Sequence, residues 1–293
     1  MNEISARRAA APVMVQVSGH RNSFTLTAGS RFAGTSDAGH KHLLNQDALA
    51  LAVAETLQGD AAIIAVSDGV SSSEFSDRAA AVAANSACRQ LAASSTGVLP
   101  HTERFTAAMV EAFLGAQDKV VSGAGGNPGG SWACTLLCAV AFGSQVVVGN
   151  VGDSRCYWVP DDADNALLFS RDDSIAEEHI QRGIRRGIAE AARSAHAITK
   201  WLGPGAHNVI PSVQVHTIDR PGWLLVCSDG LWNYASQPAQ LAAALRAVTP
   251  RHAKAIANAP QLASRLVEWA CARGGRDNIT VALLRTPYSD YTR

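Results

Sequence analysis

Four aspartates of this chain stand at the edges of short apolar runs. Asp68 closes AIIAVSDG, Asp229 closes LLVCSDG, Asp153 ends the run in VVVGNVGDSR, and Asp277 opens the one in RDNITVALL. A lone Asp-Gly pair after a strand is an ordinary turn; four acids at strand ends, on neighbouring strands, would converge on one rim. Clustered carboxylates repel each other and hold their protons unless a cation neutralises them. An all-oxygen set without His and Cys partners selects Mg²⁺ or Mn²⁺ over Zn²⁺. Two such ions, about 3.5–4 Å apart, would activate a bridging water and hold a phosphoryl group in line. The chemistry most compatible with the set is metal-assisted hydrolysis of a phosphate ester. No protein nucleophile is then required, and the chain contains no C-x5-R loop, G-x-S-x-G elbow or H-E-x-x-H helix.

The elements that must position these acids are legible in part. Short runs rich in β-branched residues and flanked by Gly, Asp or Ser predict strands over Ala61–Val66, Cys134–Phe142, Val146–Val151, Arg155–Val159, Leu224–Cys227 and Ile279–Leu284. Helices are predicted over Ser76–Ala93, Thr102–Val121, Ile175–Gly183, Pro238–Val248 and Gln261–Ala272. Leu241, Ala244, Leu245 and Val248 recur at helical spacing, as do Ala263, Leu266, Val267 and Ala270, so each helix buries one stripe. Helix pairs between groups of strands favour antiparallel sheets covered by helices over a doubly wound fold. Ser71–Ser73 read as a turn and a cap for the helix starting near Ser76. The segment SGAGGNPGG, 122–130, reads as a turn; with no G-K-[ST] after it, it is a poor phosphate loop.

Composition bounds the rest. The chain has 293 residues, 47% hydrophobic and 17% charged, enough for a buried core in one large domain. Residues 1–23 read as a leader, with Val13–Val17 a possible edge strand, 24–286 as the catalytic unit and 287–293 as a tail. Lys plus Arg and Asp plus Glu both number 25, so no overall field favours nucleic acid or an anionic membrane. The longest apolar stretch, Trp132–Phe142, falls short of the roughly 20 residues of a membrane span. Six cysteines without a C-x-x-C pair read as buried thiols, which points to a cytoplasmic protein, expected to be a monomer. His40 and His42 lack companions at zinc spacing.

Taken in order, eight segments resemble the metal-dependent protein serine/threonine phosphatases, the protein phosphatase 2C or PPM family. They are SDAGHKHLLNQDAL (36–49), AVSDGVSSSEFSDRAA (65–80), WACTLL (132–137), VGNVGDSRCYWV (148–159), SRDDSIAEEHIQRG (170–183), AITKWLG (197–203), LLVCSDGLWNYAS (224–236) and GGRDNITVALL (274–284). The resemblance implies an α+β fold, a four-layer α-β-β-α sandwich of two antiparallel sheets flanked by helices. It implies two Mn²⁺ or Mg²⁺ ions, with Asp68 bridging both, the Gly69 carbonyl on the first, and Asp229 and Asp277 completing the second. Asp47 would orient the attacking water, and Asp153 with Asp229 would hold a weak third ion. Residues from about 171 to 197 would form a flap that influences substrate choice.

Departures from the family pattern surround this set. His42 stands where many members carry the arginine that grips the substrate phosphate, which implies a weaker grip, stronger at lower pH. Gln46 replaces a glutamate, Val70 a general-acid histidine and Asn233 an aspartate. The expected activity is hydrolysis of phosphoserine and phosphothreonine in proteins, with phosphoprotein substrates and a cognate Ser/Thr kinase as partners. A catalytically weak module that binds phosphoproteins, and a hydrolase of small phosphorylated molecules, are the alternatives.

Overall fold

The computed structural model describes residues 13–15, 22–125, 131–162, 166–250 and 258–287. The strands are β1 (Val13–Val15), β2 (Ser23–Thr27), β3 (Phe32–Asp37), β4 (Ala48–Thr56), β5 (Gly59–Ser67), β6 (Leu136–Phe142), β7 (Gln145–Val151), β8 (Arg155–Pro160), β9 (Leu167–Leu168), β10 (Ser212–Thr217), β11 (Gly222–Cys227) and β12 (Ile279–Thr286). The helices are α1 (Ser76–Ser95), α2 (Thr102–Ala124), α3 (Ile175–Gln181), α4 (Arg186–Ala189), α5 (Asp229–Trp232), α6 (Pro238–Val248) and α7 (Ala259–Cys271).

Two six-stranded sheets form, in the orders β1-β4-β5-β6-β7-β10 and β2-β3-β12-β11-β8-β9, and every pairing between their strands is antiparallel. Helices α1 and α2 lie on the first sheet, and α7 lies on the second beside α6. Alternation along the strands explains the layering. In β11, Leu224 and Val226 face the core between the sheets, while Leu225 and Cys227 pack under Leu241, Leu262 and Leu266 of the covering helices. In β12, Ala282 and Leu284 take the first side, Val281 and Leu283 the second. Because both faces are covered, these strands read as continuous apolar runs instead of alternating ones.

The α-β-β-α sandwich is therefore as expected, and the edge strand falls at Val13–Val15, paired with β4. Residues 126–130 of the glycine-rich turn and 288–293 of the tail lie outside the described residues. Ser71–Ser73 do turn the chain, but they do not cap α1: its N-cap is Phe75, without a side-chain cap bond. All six cysteines are free, and five are buried. Burial pushes the Cys88 and Cys134 thiols up to about 12, which suits inert packing groups. Among the described residues no helix is long and apolar enough to cross a membrane.

The register brings the acid-bearing ends to one edge of both sheets. Ala48 pairs with Ser67 at the end of β4–β5, so Asp47 and Asp68 flank a single pair. Leu136 pairs with Val151 two residues before Asp153. In the other sheet Cys227 pairs with both Val281 and Arg155, two residues from Asp229 on one strand and from Asp153 on the other.

Candidate metal centre

Asp68 leaves β5 with its backbone pinned at both ends to one residue. Its N–H donates to Thr135 Oγ1 at 3.0 Å, and its carbonyl accepts from the Thr135 N–H at 2.8 Å. Asp47 is buried, and its Oδ2 accepts from Ser228 Oγ at 2.8 Å and Thr280 Oγ1 at 2.7 Å. Asp229 starts α5 and accepts from Asn233 Nδ2 at 3.0 Å. Asp277 lies just before β12, with His42 Nε2 3.3 Å from its Oδ1. Gly69 and Gly230 are required by close approach. A Cβ on Gly69 would sit 2.7 Å from the Gln46 carbonyl oxygen, and one on Gly230 would sit 1.9 Å from that of Asn278. Neither glycine has a positive φ, so it is close approach and not backbone conformation that selects them.

Electrostatically these acids are one unit. Burial pushes Asp47 up to about 7 despite its two hydroxyl donors, and Asp229 and Asp277 add repulsion. Burial and then Asp277 push Asp229 up to about 6, although Asp68 and Asn233 hydrogen-bond to it. Burial first, then the Asp47, Asp229, Asp153 and Asp277 charges, hold the Asp68 carboxyl well above the usual range. Asp153 is raised by burial and Asp229. Among the described residues no three His, Cys, Asp or Glu side chains are drawn into a tight ligand cage. The set nevertheless fits a hard divalent cation: Asp47 Oδ1 and Asp229 Oδ1 are buried without a hydrogen-bond partner, and oxygen is the donor throughout.

Comparison with known proteins places this geometry. Residues 33–269 match the family model described as protein phosphatase 2C. The chain belongs to the protein phosphatase 2C family. The serine/threonine phosphatase Stp of Listeria innocua is 32% identical over 155 residues, covering 51% of this chain and 55% of that protein. The chain spans about half the length of the curated relatives it matches. The PPM Ser-Thr phosphatase MsPP of Mycobacterium smegmatis, solved in complex with cacodylate, is 29% identical with a TM-score of 0.63, over 88% of this chain and 99% of that one. The catalytic domain of the phosphatase PstP, solved with two manganese ions, has a TM-score of 0.62 over 86% of this chain and 96% of that one; at 22% identity the likeness is one of fold.

Around the acids, this protein phosphatase 2C member carries supports that the sequence analysis did not single out. Arg155, 1% exposed, is bonded through Nε and Nη2 to both oxygens of Asp172, through Nη2 to Glu190 Oε1 at 2.9 Å, and through Nη1 to the Ser236 carbonyl at 3.1 Å. Its guanidinium lies 3.7 Å above the Trp232 ring, whose Nε1 donates to the Asp153 carbonyl at 2.9 Å. One cation thus ties the 171–197 segment to the loop bearing Asp153. Asp173 receives the Gly152 N–H and pairs with Lys200 at 3.0 Å. Asn278 accepts the Gln46 N–H and donates to the Ala38 and Leu44 carbonyls, clamping the loop that carries His42. The available signal was the Arg in GDSR, the paired acids in SRDDS and the Asn in RDN.

Several departures from the family pattern acquire contacts. Gln46 spends its side-chain amide on Ser76 Oγ, and Asn233 is a donor to Asp229 where a carboxylate would repel it. Val70 is held through its backbone N–H on the Ala133 carbonyl. In the 171–197 segment, Arg186 pairs with Glu177 and Glu190, while Arg185 and Arg193 are exposed.

Two predictions follow from these charges. Arg155→Ala strands the buried Asp172 carboxylate, and urea denaturation will show a loss of about 3–5 kcal/mol; a loss below 1 kcal/mol contradicts the role given to the pair. Carboxyls raised above 3.8 keep their protons in the folded state after the unfolded chain has released them. In EDTA this contribution to stability is therefore fully present below pH 3.8 and is lost as pH rises to about 6 for Asp229 and about 7 for Asp47. Thermal melts of the wild type that rise over that window, or that fall as steeply with Asp47 and Asp229 both changed to Asn, would contradict the sign.

Proposed function

We propose that this chain hydrolyses phosphoserine and phosphothreonine in proteins, using Mn²⁺ or Mg²⁺ at a dinuclear centre held by Asp68, the Gly69 carbonyl, Asp229 and Asp277. The observation that carries the reading is the rim of mutually repelling acids with two orphaned carboxylate oxygens, in a member of the protein phosphatase 2C family. When bound, the two ions supply charge that stabilises the phosphoryl transfer and lower the pKa of the attacking water.

The protein's own residues do the rest. Asp68, central to the repulsion, would bridge the two sites; Asp229 and Asp277 would close the second. Asp153 and Asp229 would form a weaker third site, with Asn233 as a neutral neighbour. Asp47, fixed by Ser228 and Thr280 with Oδ1 left over, is suited to accept a proton from the water and orient it. His42, with Nε2 3.3 Å from Asp277 Oδ1, would offer the phosphate one ring N–H. Phosphoproteins are the substrates in this reading, a cognate Ser/Thr kinase is the partner by family analogy, and the buried thiols suit a cytoplasmic setting. Residues 24–286, which contain the family match, would be the catalytic unit.

Hydrolysis of a phosphothreonine peptide tests this directly. Turnover will require Mn²⁺ or Mg²⁺, stop in EDTA, and fall on the order of 10²-fold or more in Asp229→Asn; no metal-dependent rate above that variant sinks the proposal. His42→Ala will raise the phosphopeptide KM on the order of tenfold, as for one charge-assisted bond. An unchanged KM would remove His42 from phosphate binding.

A further inference from the structure

Beside the acid rim opens a cleft of about 350 Å³, lined by Glu190, His196, Asn233, Tyr234, Arg276 and Asp277 among others. Its size falls within the roughly 300–1,000 Å³ of small-ligand sites. Of its lining, Gly230 and Asp277 are shared with the candidate metal centre, and Glu190 and His196 belong to the 171–197 segment.

The two acids lining this cleft are engaged, and its arginine is not. Glu190 is already bonded by two cations, Arg155 at 2.9 Å and Arg186 at 2.9 Å. Asp277 faces His42 and the metal centre. Arg276 is exposed, and among the described residues its guanidinium has no ion pair or hydrogen bond. Its backbone is fixed, however: the Arg276 N–H donates to Tyr234 Oη at 3.0 Å. A guanidinium on an anchored backbone, with unused donors over a concave wall, is suited to a forked grip on a carboxylate or phosphate.

We propose that this cleft is a substrate subsite in which Arg276 reads an anionic side chain next to the phosphorylated residue. The inference rests on the phosphatase reading and names the substrate class: phosphoproteins with an acidic or second phosphorylated residue near the reacting one. Because the cleft borders the metal centre, and extended chain advances about 3.4 Å per residue, the anion lies about one or two residues away. The role of Arg276 is specificity, and it differs from that of His42, which serves the reacting phosphate.

The test compares phosphothreonine peptides carrying Glu, phosphoserine, Ala or Lys at each position within two residues of the phosphothreonine, with Mn²⁺, in wild type, Arg276→Ala and Arg276→Glu. The readout is the kcat/KM ratio between peptides within each enzyme, which is independent of changes in basal rate. Wild type will favour Glu or phosphoserine over Ala by about tenfold at one position, as one charge-assisted bond supplies. Arg276→Ala will bring the ratio to about one, and Arg276→Glu will favour Lys. The Glu and phosphoserine arms tell a carboxylate preference from a phosphate preference. Metal-dependent turnover with equal ratios in wild type, or a preference that survives Arg276→Ala, overturns the subsite and leaves the phosphatase reading standing. No metal-dependent turnover of any peptide overturns both.

Discussion

Repulsion among five carboxylates sets the terms for this fold. Asp47, Asp68, Asp153, Asp229 and Asp277 come from different strand ends, and desolvation and mutual repulsion oppose charge on four of them. Such a cluster is unfavourable unless protons or cations occupy it. The sandwich supplies the opposing stability: two sheets packed face to face, with both outer faces covered by helices, bury a core large enough to hold the acids at its edge. Strain at one end of a rigid framework is a common arrangement for sites that bind ions.

Neutral donors and a few cations arrange the cluster without neutralising it. Thr135 fixes the backbone of Asp68, Ser228 and Thr280 hold one oxygen of Asp47, and Asn233 holds one of Asp229. Each leaves ligand capacity unused. Arg155, whose charge acts on Asp153 and Asp229, is committed to Asp172, Glu190 and the face of Trp232, where it organises the 171–197 segment. A cation in the centre would draw together acids whose backbones are already held at one rim, with the side chains closing around it on binding.

Much of this was legible in the sequence because apolar runs ending in acid-glycine pairs carry both the strand and the site. Three of the missed strands were hidden for different physical reasons. β4, ALALAVAET, is alanine-rich and has no strand-specific residue pattern until its end; β3, FAGTSD, includes a glycine whose missing Cβ makes room for Leu49 of the facing sheet. β10, SVQVHT, is an edge strand, half-exposed and polar. Of the site, the acids were visible and their supports were not. Arg155 meets Asp172, Glu190 and Trp232 only after the chain has folded, and nothing in local spacing links those positions.

The central claim is that the acid rim is a cation site whose protons are held in place of metal. Calorimetric titration of the EDTA-treated, dialysed protein with Mn²⁺ near pH 6, in two buffers of different ionisation enthalpy, measures bound ions and displaced protons together. The account predicts saturable binding of two ions per chain with net proton release, both diminished in Asp229→Asn. Binding without proton release, or binding indifferent to Asp229→Asn, would contradict it.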